Sequence, residues 1–180
     1  DYVNPIAGYE KIGTRISFER DGVYTSSVTS YTYDATGKMD KSELQVRLGL
    51  GAVEALVLAN ETLYQGDEGE EQIKTVKHYA PLPGGKLVST ENYVYDATTM
   101  GLLRTETYDE YSILESVRKY GALDFIGGTS WAAGTPLQGE ESLKEVLSYY
   151  MDGTLRTRTF YNYNNFAIDR TTAYDSASQL

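Results

Sequence analysis

Three stretches of the sequence repeat one short motif: a tyrosine, any residue, a second tyrosine, then Asp or Asn. They are Tyr31-Thr-Tyr33-Asp34, Tyr93-Val-Tyr95-Asp96 and Tyr161-Asn-Tyr163-Asn164. In a β-strand, residues two apart share a face, so each tyrosine pair lies on one side, and the acid or amide then opens a turn. A longer match couples turn and strand. Gly101-Leu-Leu103-Arg-Thr-Glu-Thr-Tyr108 parallels Gly153-Thr-Leu155-Arg-Thr-Arg-Thr-Phe160, and each is followed three residues on by a tyrosine, Tyr111 and Tyr163. Joined, the two matches define one unit, Tyr-x-Tyr-Asp-x-x-Gly-x-Leu followed by a strand.

Degenerate copies of this unit run along the chain. Tyr31–Asp34 with Gly37 and Met39 is the cleanest, and Tyr93–Asp96 with Gly101 and Leu103 carries two extra turn residues. Tyr150, Asp152, Gly153 and Leu155 make a shortened copy, and Phe18, Asp21, Gly22 and Val23 another. His78-Tyr79 through Gly84-Gly85 and Leu87 is a copy with prolines in its turn, and Tyr174-Asp175 begins one more. The physics of the unit is a hairpin: Asp or Asn caps the turn and Gly supplies the positive φ. One extra residue between Gly22 and Tyr31 predicts a bulge that keeps the register. Leu155, Thr157, Thr159, Tyr161 and Tyr163 are expected on one face, opposite Arg156, Arg158 and Phe160. Such half-polar faces suit a sheet widely open to solvent. The expected fold class is therefore all-β: an antiparallel meander of tyrosine-rich hairpin repeats forming a curved or curled sheet with little helix. Residues 1–180 are read as a single all-β repeat domain, because such units bury a face only by stacking on one another.

The stretch Tyr31-Thr-Tyr33-Asp34-Ala-Thr-Gly37-Lys38-Met39 resembles the YD repeat of bacterial surface and secreted proteins, the RHS or YD-repeat family. The chain also resembles small bacterial surface lipoproteins that carry YD-like hairpins. In the family, long arrays of hairpins wind into a β-shell. This chain has too few copies to enclose anything, so a short open or curled sheet is expected. The resemblance implies a secreted protein or one at the cell surface of a bacterium, with any export signal or lipid-anchor cysteine upstream of Asp1.

Several segments break the pattern. Leu44, Val46, Leu48 and Leu50 alternate on one face. Beyond Gly51, Val53, Ala55, Val57 and Ala59 follow, with Leu56 and Leu58 opposite. Two strands forming the driest part of the core are expected here, with a helix over 52–64 as the alternative, since short apolar runs are ambiguous. Gln65–Gln72 reads as an acidic loop and Pro81–Gly85 as a rigid one. Gly121–Gly139 is glycine-rich and holds the single tryptophan, Trp131.

Composition removes many chemistries. The net charge of −10 disfavours nucleic acid and anionic membranes as partners. Absence of cysteine excludes disulfides, thiolate catalysis and Cys-ligated zinc. The most apolar stretch, Leu44–Leu63, is interrupted by Arg47, Glu54, Asn60 and Glu61, so no membrane span is expected. The single histidine, His78, reads as a surface or cross-strand residue. Asp21, Asp34, Asp96, Asp109, Asp152 and Asp175 mostly sit where turns need them. Asp67, Glu68, Glu70 and Glu71 lack the alternating pattern of a calcium loop and read as solvated. Leu48-Gly49-Leu50-Gly51 lacks the third glycine of a dinucleotide fingerprint and the Gly-Lys of a P-loop. No metal site and no cofactor is expected.

What remains is the glycine-rich loop. Phe125, Ile126 and Trp131 form the candidate ligand-binding platform, stacking on sugar rings or gripping a partner; a loop folded back onto the end of the sheet is the competing structure. The leading expectation is a non-catalytic surface or secreted module binding a glycan or a protein. A structural spacer or shell fragment of a YD-type assembly, and a carbohydrate hydrolase using two carboxylates, are the alternatives.

Overall fold

The computed structural model describes residues 2–3, 11–20, 22, 24–48, 55–122, 136, 138–139, 141–164 and 167–175. Among these the regular elements are all strands. They are β1 (Tyr2–Val3), β2 (Lys11–Ile12), β3 (Thr14–Phe18), β4 (Thr25–Tyr33), β5 (Met39–Leu48), β6 (Ala55–Gln65) and β7 (Gln72–Tyr79). There follow β8 (Leu87–Tyr95), β9 (Leu102–Asp109), β10 (Leu114–Gly121), β11 (Ser142–Tyr149), β12 (Leu155–Asn164) and β13 (Ala167–Asp175). β1 and β2 pair as a two-stranded sheet; β3 to β13 follow one another in sequence order as an eleven-stranded antiparallel meander. The apolar run after Leu44 is strand, not helix: β5 and β6 pair antiparallel, with Val46 opposite Val57. The chain divides into two compact units, Asp1–Thr90 and Glu91–Leu180.

One corner geometry makes the hairpins. In Asp34–Lys38 the Asp34 amide donates to the Lys38 carbonyl (2.9 Å) and the Gly37 amide to the Asp34 carbonyl (3.1 Å). The Asp34 carboxylate accepts the Thr36 amide (2.8 Å), the Thr36 hydroxyl (2.6 Å) and the Lys38 amide (3.1 Å). Asp109–Ile113 repeats this, with the Tyr111 and Ile113 amides donating to Asp109 Oδ1. Tyr150–Thr154 has the same backbone bonds, but its carboxylate is Asp152, two positions later, which accepts the Thr154 amide and hydroxyl. The residue before the last of each corner has positive φ: Gly37 (94°), Ser112 (64°) and Gly153 (80°). Asp96–Gly101 is one residue longer, and there Met100 (56°), not Gly101, takes the left-handed position.

In five of the hairpins the returning strand inserts one extra residue, as its second or, in β7, its third. Phe18 pairs with Thr25 but Ser17 with Ser27, so Ser26 is extra, which is the bulge expected between Gly22 and Tyr31. The same skip leaves out Asp40, Lys74, Glu115 and Arg156. The four charged residues are exposed. The bulge corrects the face expected for Leu155. Leu155 pairs with Tyr149 and Thr157 with Ser148, so Leu155 and Thr157 lie on opposite faces.

Among the described residues the dry core is thin. Val57 and Val117 are the buried hydrophobic side chains among the described residues, so the run from Leu44 contributes one of them. In the first unit, polar contacts organise much of the rest. Glu43 faces Glu61 across β5–β6, a like-charge pair relieved by Lys41 on Glu43 (2.8 Å) and Lys77 on Glu61 (2.6 Å). Tyrosine hydroxyls find partners: Tyr33 donates to the Ile12 carbonyl, Tyr64 bonds Ser42, and in the second unit Tyr163 donates to the Leu143 carbonyl. Each ring is thus half-packed while its hydroxyl is satisfied.

Two predictions follow from this geometry. Gly153 and Gly66 both have positive φ, but a Cβ on Gly153 meets open space, while one on Gly66 stands 2.7 Å from the Glu70 carbonyl oxygen. Urea melts should show Gly153→Ala costing about 1 kcal/mol and Gly66→Ala at least about twice that, whereas Ser112→Gly should be neutral or stabilising. Burial, and after it the charge of Glu141, pushes the Tyr95 hydroxyl up to about 12. A raised tyrosine contributes stability that is complete below its ordinary value and lost as pH rises through the folded one. Between pH 10 and 12 the wild type should therefore lose about 1–2 kcal/mol more than Tyr95→Phe in the same melts.

Candidate functional site

Within the second unit, register lines up a row of side chains across four strands. Arg104 of β9 lies opposite Lys119 of β10, Lys119 opposite Glu145 of β11, and Glu145 opposite Phe160 of β12. The adjoining row on that face is Glu106, Val117, Leu147 and Arg158. Between β10 and β11 the pairing slips by one residue, leaving Lys144 extra. Lys144 and Glu145 both line one groove at this bulge. The groove has a volume of about 540 Å³ and is walled also by Leu103, Arg104, Lys119, Tyr120, Arg158 and Phe160.

Glu145 is the centre of its electrostatics. Its side chain is 5 % exposed, and it is held by Lys119 Nζ on Oε2 (2.9 Å) and by Arg158 Nε on Oε1. Burial pushes its carboxyl upward, but the hydrogen bonds and charges of Lys119 and Arg158 outweigh that, and it lies below the ordinary carboxylate range. The Arg158 guanidinium stacks 4.6 Å from the Phe160 ring centroid, and Phe160 meets Tyr174 edge-on at 6.1 Å. On the far wall Arg104 Nε donates to Glu106 Oε1 (2.6 Å), whose other oxygen accepts the Tyr108 hydroxyl (2.9 Å). The hydrogen bond from Arg104, helped by that from Tyr108, holds Glu106 below the ordinary range against the opposing effect of burial. The groove thus presents four cations against one lining carboxylate, in a chain of net charge −10. Chemically it offers N–H donors and positive charge; its carboxylates are ionised and paired at neutral pH.

A second crevice, of about 290 Å³, lies at the hairpin ends between Asp109, Leu114, Glu115, Tyr149, Met151 and Arg156. Its Asp109 is committed to the turn amides.

The residues singled out from sequence fall elsewhere. Phe125, Ile126 and Trp131 lie outside the described residues. His78 bonds Asn60 across β6–β7 at 2.9 Å, a cross-strand histidine. Asp34, Asp96, Asp109 and Asp152 accept turn amides, whereas Asp175 lies in β13 opposite Thr157. In the acidic loop, Glu71 accepts the Met39 and Gly69 amides and Glu68 pairs with Lys11, so two of its carboxylates serve the fold. Among the described residues no group of three His, Asp or Glu is placed to hold a metal ion, and no helix is long and apolar enough to cross a membrane. Sequence reasoning missed the groove. Its available signal was the alternation Arg156, Arg158, Phe160, which puts cations and an aromatic on one strand, but the row itself needs the register of four strands.

No family model and no curated protein matches the chain. Among solved structures, a porin-like protein from Bacteroides uniformis aligns over 83 % of this chain and 89 % of its own, at 9 % identity and a TM-score of 0.28. A protein of unknown function from Bacteroides fragilis aligns over 82 % and 91 %, at 11 % identity and a TM-score of 0.24. A TcdB2–TccC3–Cdc42 structure aligns over 90 % of this chain at 14 % identity and a TM-score of 0.23; the chain spans 10 % of that protein's length. At these identities and scores the matches assign neither family nor function.

The lowered carboxyl of Glu145 makes a signed prediction. Its contribution to stability is present above the ordinary value of 4.5 and lost as pH falls through the lower folded value. Glu145→Gln should be less stable than wild type by about 1–3 kcal/mol at pH 7, and thermal melts should show the difference closing as pH drops below 4.5.

Proposed function

We propose that this chain is a non-catalytic, bacterial surface or secreted module that binds a glycan in the groove centred on Glu145. The observation that carries this reading is the commitment of the groove's carboxylate. Glu145 is ionised between two cations, and Glu106 behind Arg104 is ionised too. A two-carboxylate hydrolase needs one carboxyl raised so that it keeps a proton for the leaving group, and both of these are shifted the other way. Long donor side chains around an aromatic ring instead suit the hydroxyls and apolar faces of sugars. The compartment rests on the resemblance of Tyr31–Met39 to the YD repeat.

The test is a glycan array followed by calorimetry. The wild type should bind at least one glycan class, Arg158→Ala and Phe160→Ala should each weaken that binding by about tenfold, and no glycan should be turned over. Glycan hydrolysis by the wild type that is lost in Glu145→Gln would overturn the non-catalytic reading.

A further inference from the structure

Solubility does not explain the charge of the groove. A chain of net charge −10 is already kept soluble by its acids, and cations dispersed over its surface would serve equally well. Here four of them converge on one concavity around a single lining carboxylate.

The arrangement also leaves donors unspent. Arg158 and Arg104 are both tethered through Nε, to Glu145 and Glu106 respectively, and their terminal nitrogens make no hydrogen bond among the described residues. Lys119 spends one bond on Glu145. Lys144, the bulged residue, is exposed, lines the groove and has no partner among the described residues. An arginine held by Nε presents its remaining fork in a fixed plane, the geometry that grips a carboxylate or sulfate through two bonds. Glu145 therefore acts as a spacer: it fixes Lys119 and Arg158 while leaving each a free side.

On these grounds we infer that the groove selects acidic glycan segments, a few sugars long and bearing carboxylate or sulfate groups. This deepens the glycan-binding reading and rests on it. The volume of about 540 Å³ suits a short segment. The surrounding net charge favours a sparsely charged sugar chain over nucleic acid, which carries a charge about every 1.7 Å of duplex and would be repelled beyond the groove.

The full chain is titrated calorimetrically with oligogalacturonate, a lightly substituted dextran sulfate, unmodified dextran and a short DNA duplex. Both acidic glycans should bind, about tenfold or more tighter than dextran, and should weaken at least about fivefold between 50 and 200 mM salt. Arg104→Gln combined with Lys144→Gln should remove about tenfold of that affinity. Lys74→Gln, an exposed cation of the first unit, should leave it unchanged, with circular dichroism confirming that each variant folds. Either acidic glycan binding without the other identifies its acid group and still supports the inference. Dextran bound as tightly as dextran sulfate, with binding lost in Phe160→Ala, would overturn the preference for acidic glycans and leave the glycan-binding reading standing. No binding of any glycan would overturn both. DNA bound more tightly than either acidic glycan would overturn the assignment of ligand class.

Discussion

The structure depends on a carboxylate gripping backbone amides at the corner of a hairpin. Asp34 accepts the amides of Thr36 and Lys38, and Asp109 those of Tyr111 and Ile113. These bonds replace water for groups that the tight turn leaves without ladder partners. Once the corner is closed, the first cross-strand pair is set, and the bulge that follows decides which side every later residue takes. Tyr33 opposite Met39 but Thr32 opposite Lys41 is one outcome; Tyr149 opposite Leu155 but Ser148 opposite Thr157 is another. The row of Arg104, Lys119, Glu145 and Phe160 exists because corners upstream and downstream of it close in this way.

With so little dry core among the described residues, side-chain identity matters there through polar pairing as much as through volume. The opposed acids Glu43 and Glu61 are each neutralised by a lysine, and Glu91 and Glu106 each sit between an arginine and a tyrosine hydroxyl. Arginine and tyrosine suit this because each covers sheet surface with its body while its polar end satisfies an acid. Glu145 departs from that scheme: two cations converge on it and no hydroxyl does. It is also the most enclosed of these carboxylates, and the groove forms around it.

The meander was legible in the sequence because its signals are local. Tyr-x-Tyr followed by Asp, then Gly, marks strand, corner and left-handed residue within a few positions, as Tyr31 to Gly37 shows. Where another residue accepts the left-handed geometry the signal fails. Ser112 completes a corner that a search for glycine passes over, and Met100 takes the place expected of Gly101. The return-strand bulges were legible only at Ser26, where a count of residues between Gly22 and Tyr31 exposed the extra one. At Asp40, Glu115 and Arg156 the inserted residue looks like any other polar position in an alternating strand. The groove was least legible. Its residues come from four strands, and their alignment depends on slips at Glu115, Lys144 and Arg156 that no local pattern announces.

The inserted residues have a consequence for self-association. A chain rich in tyrosine and threonine, with strands of up to eleven residues, has high β-propensity over long stretches. Stacking of copies into cross-β layers requires flat segments whose side chains alternate without interruption. Each charged bulge breaks that alternation close to the turn and twists the strand away from flatness. Asp40, Lys74, Glu115 and Arg156 thus each interrupt that alternation at the same positions that set the hairpin register.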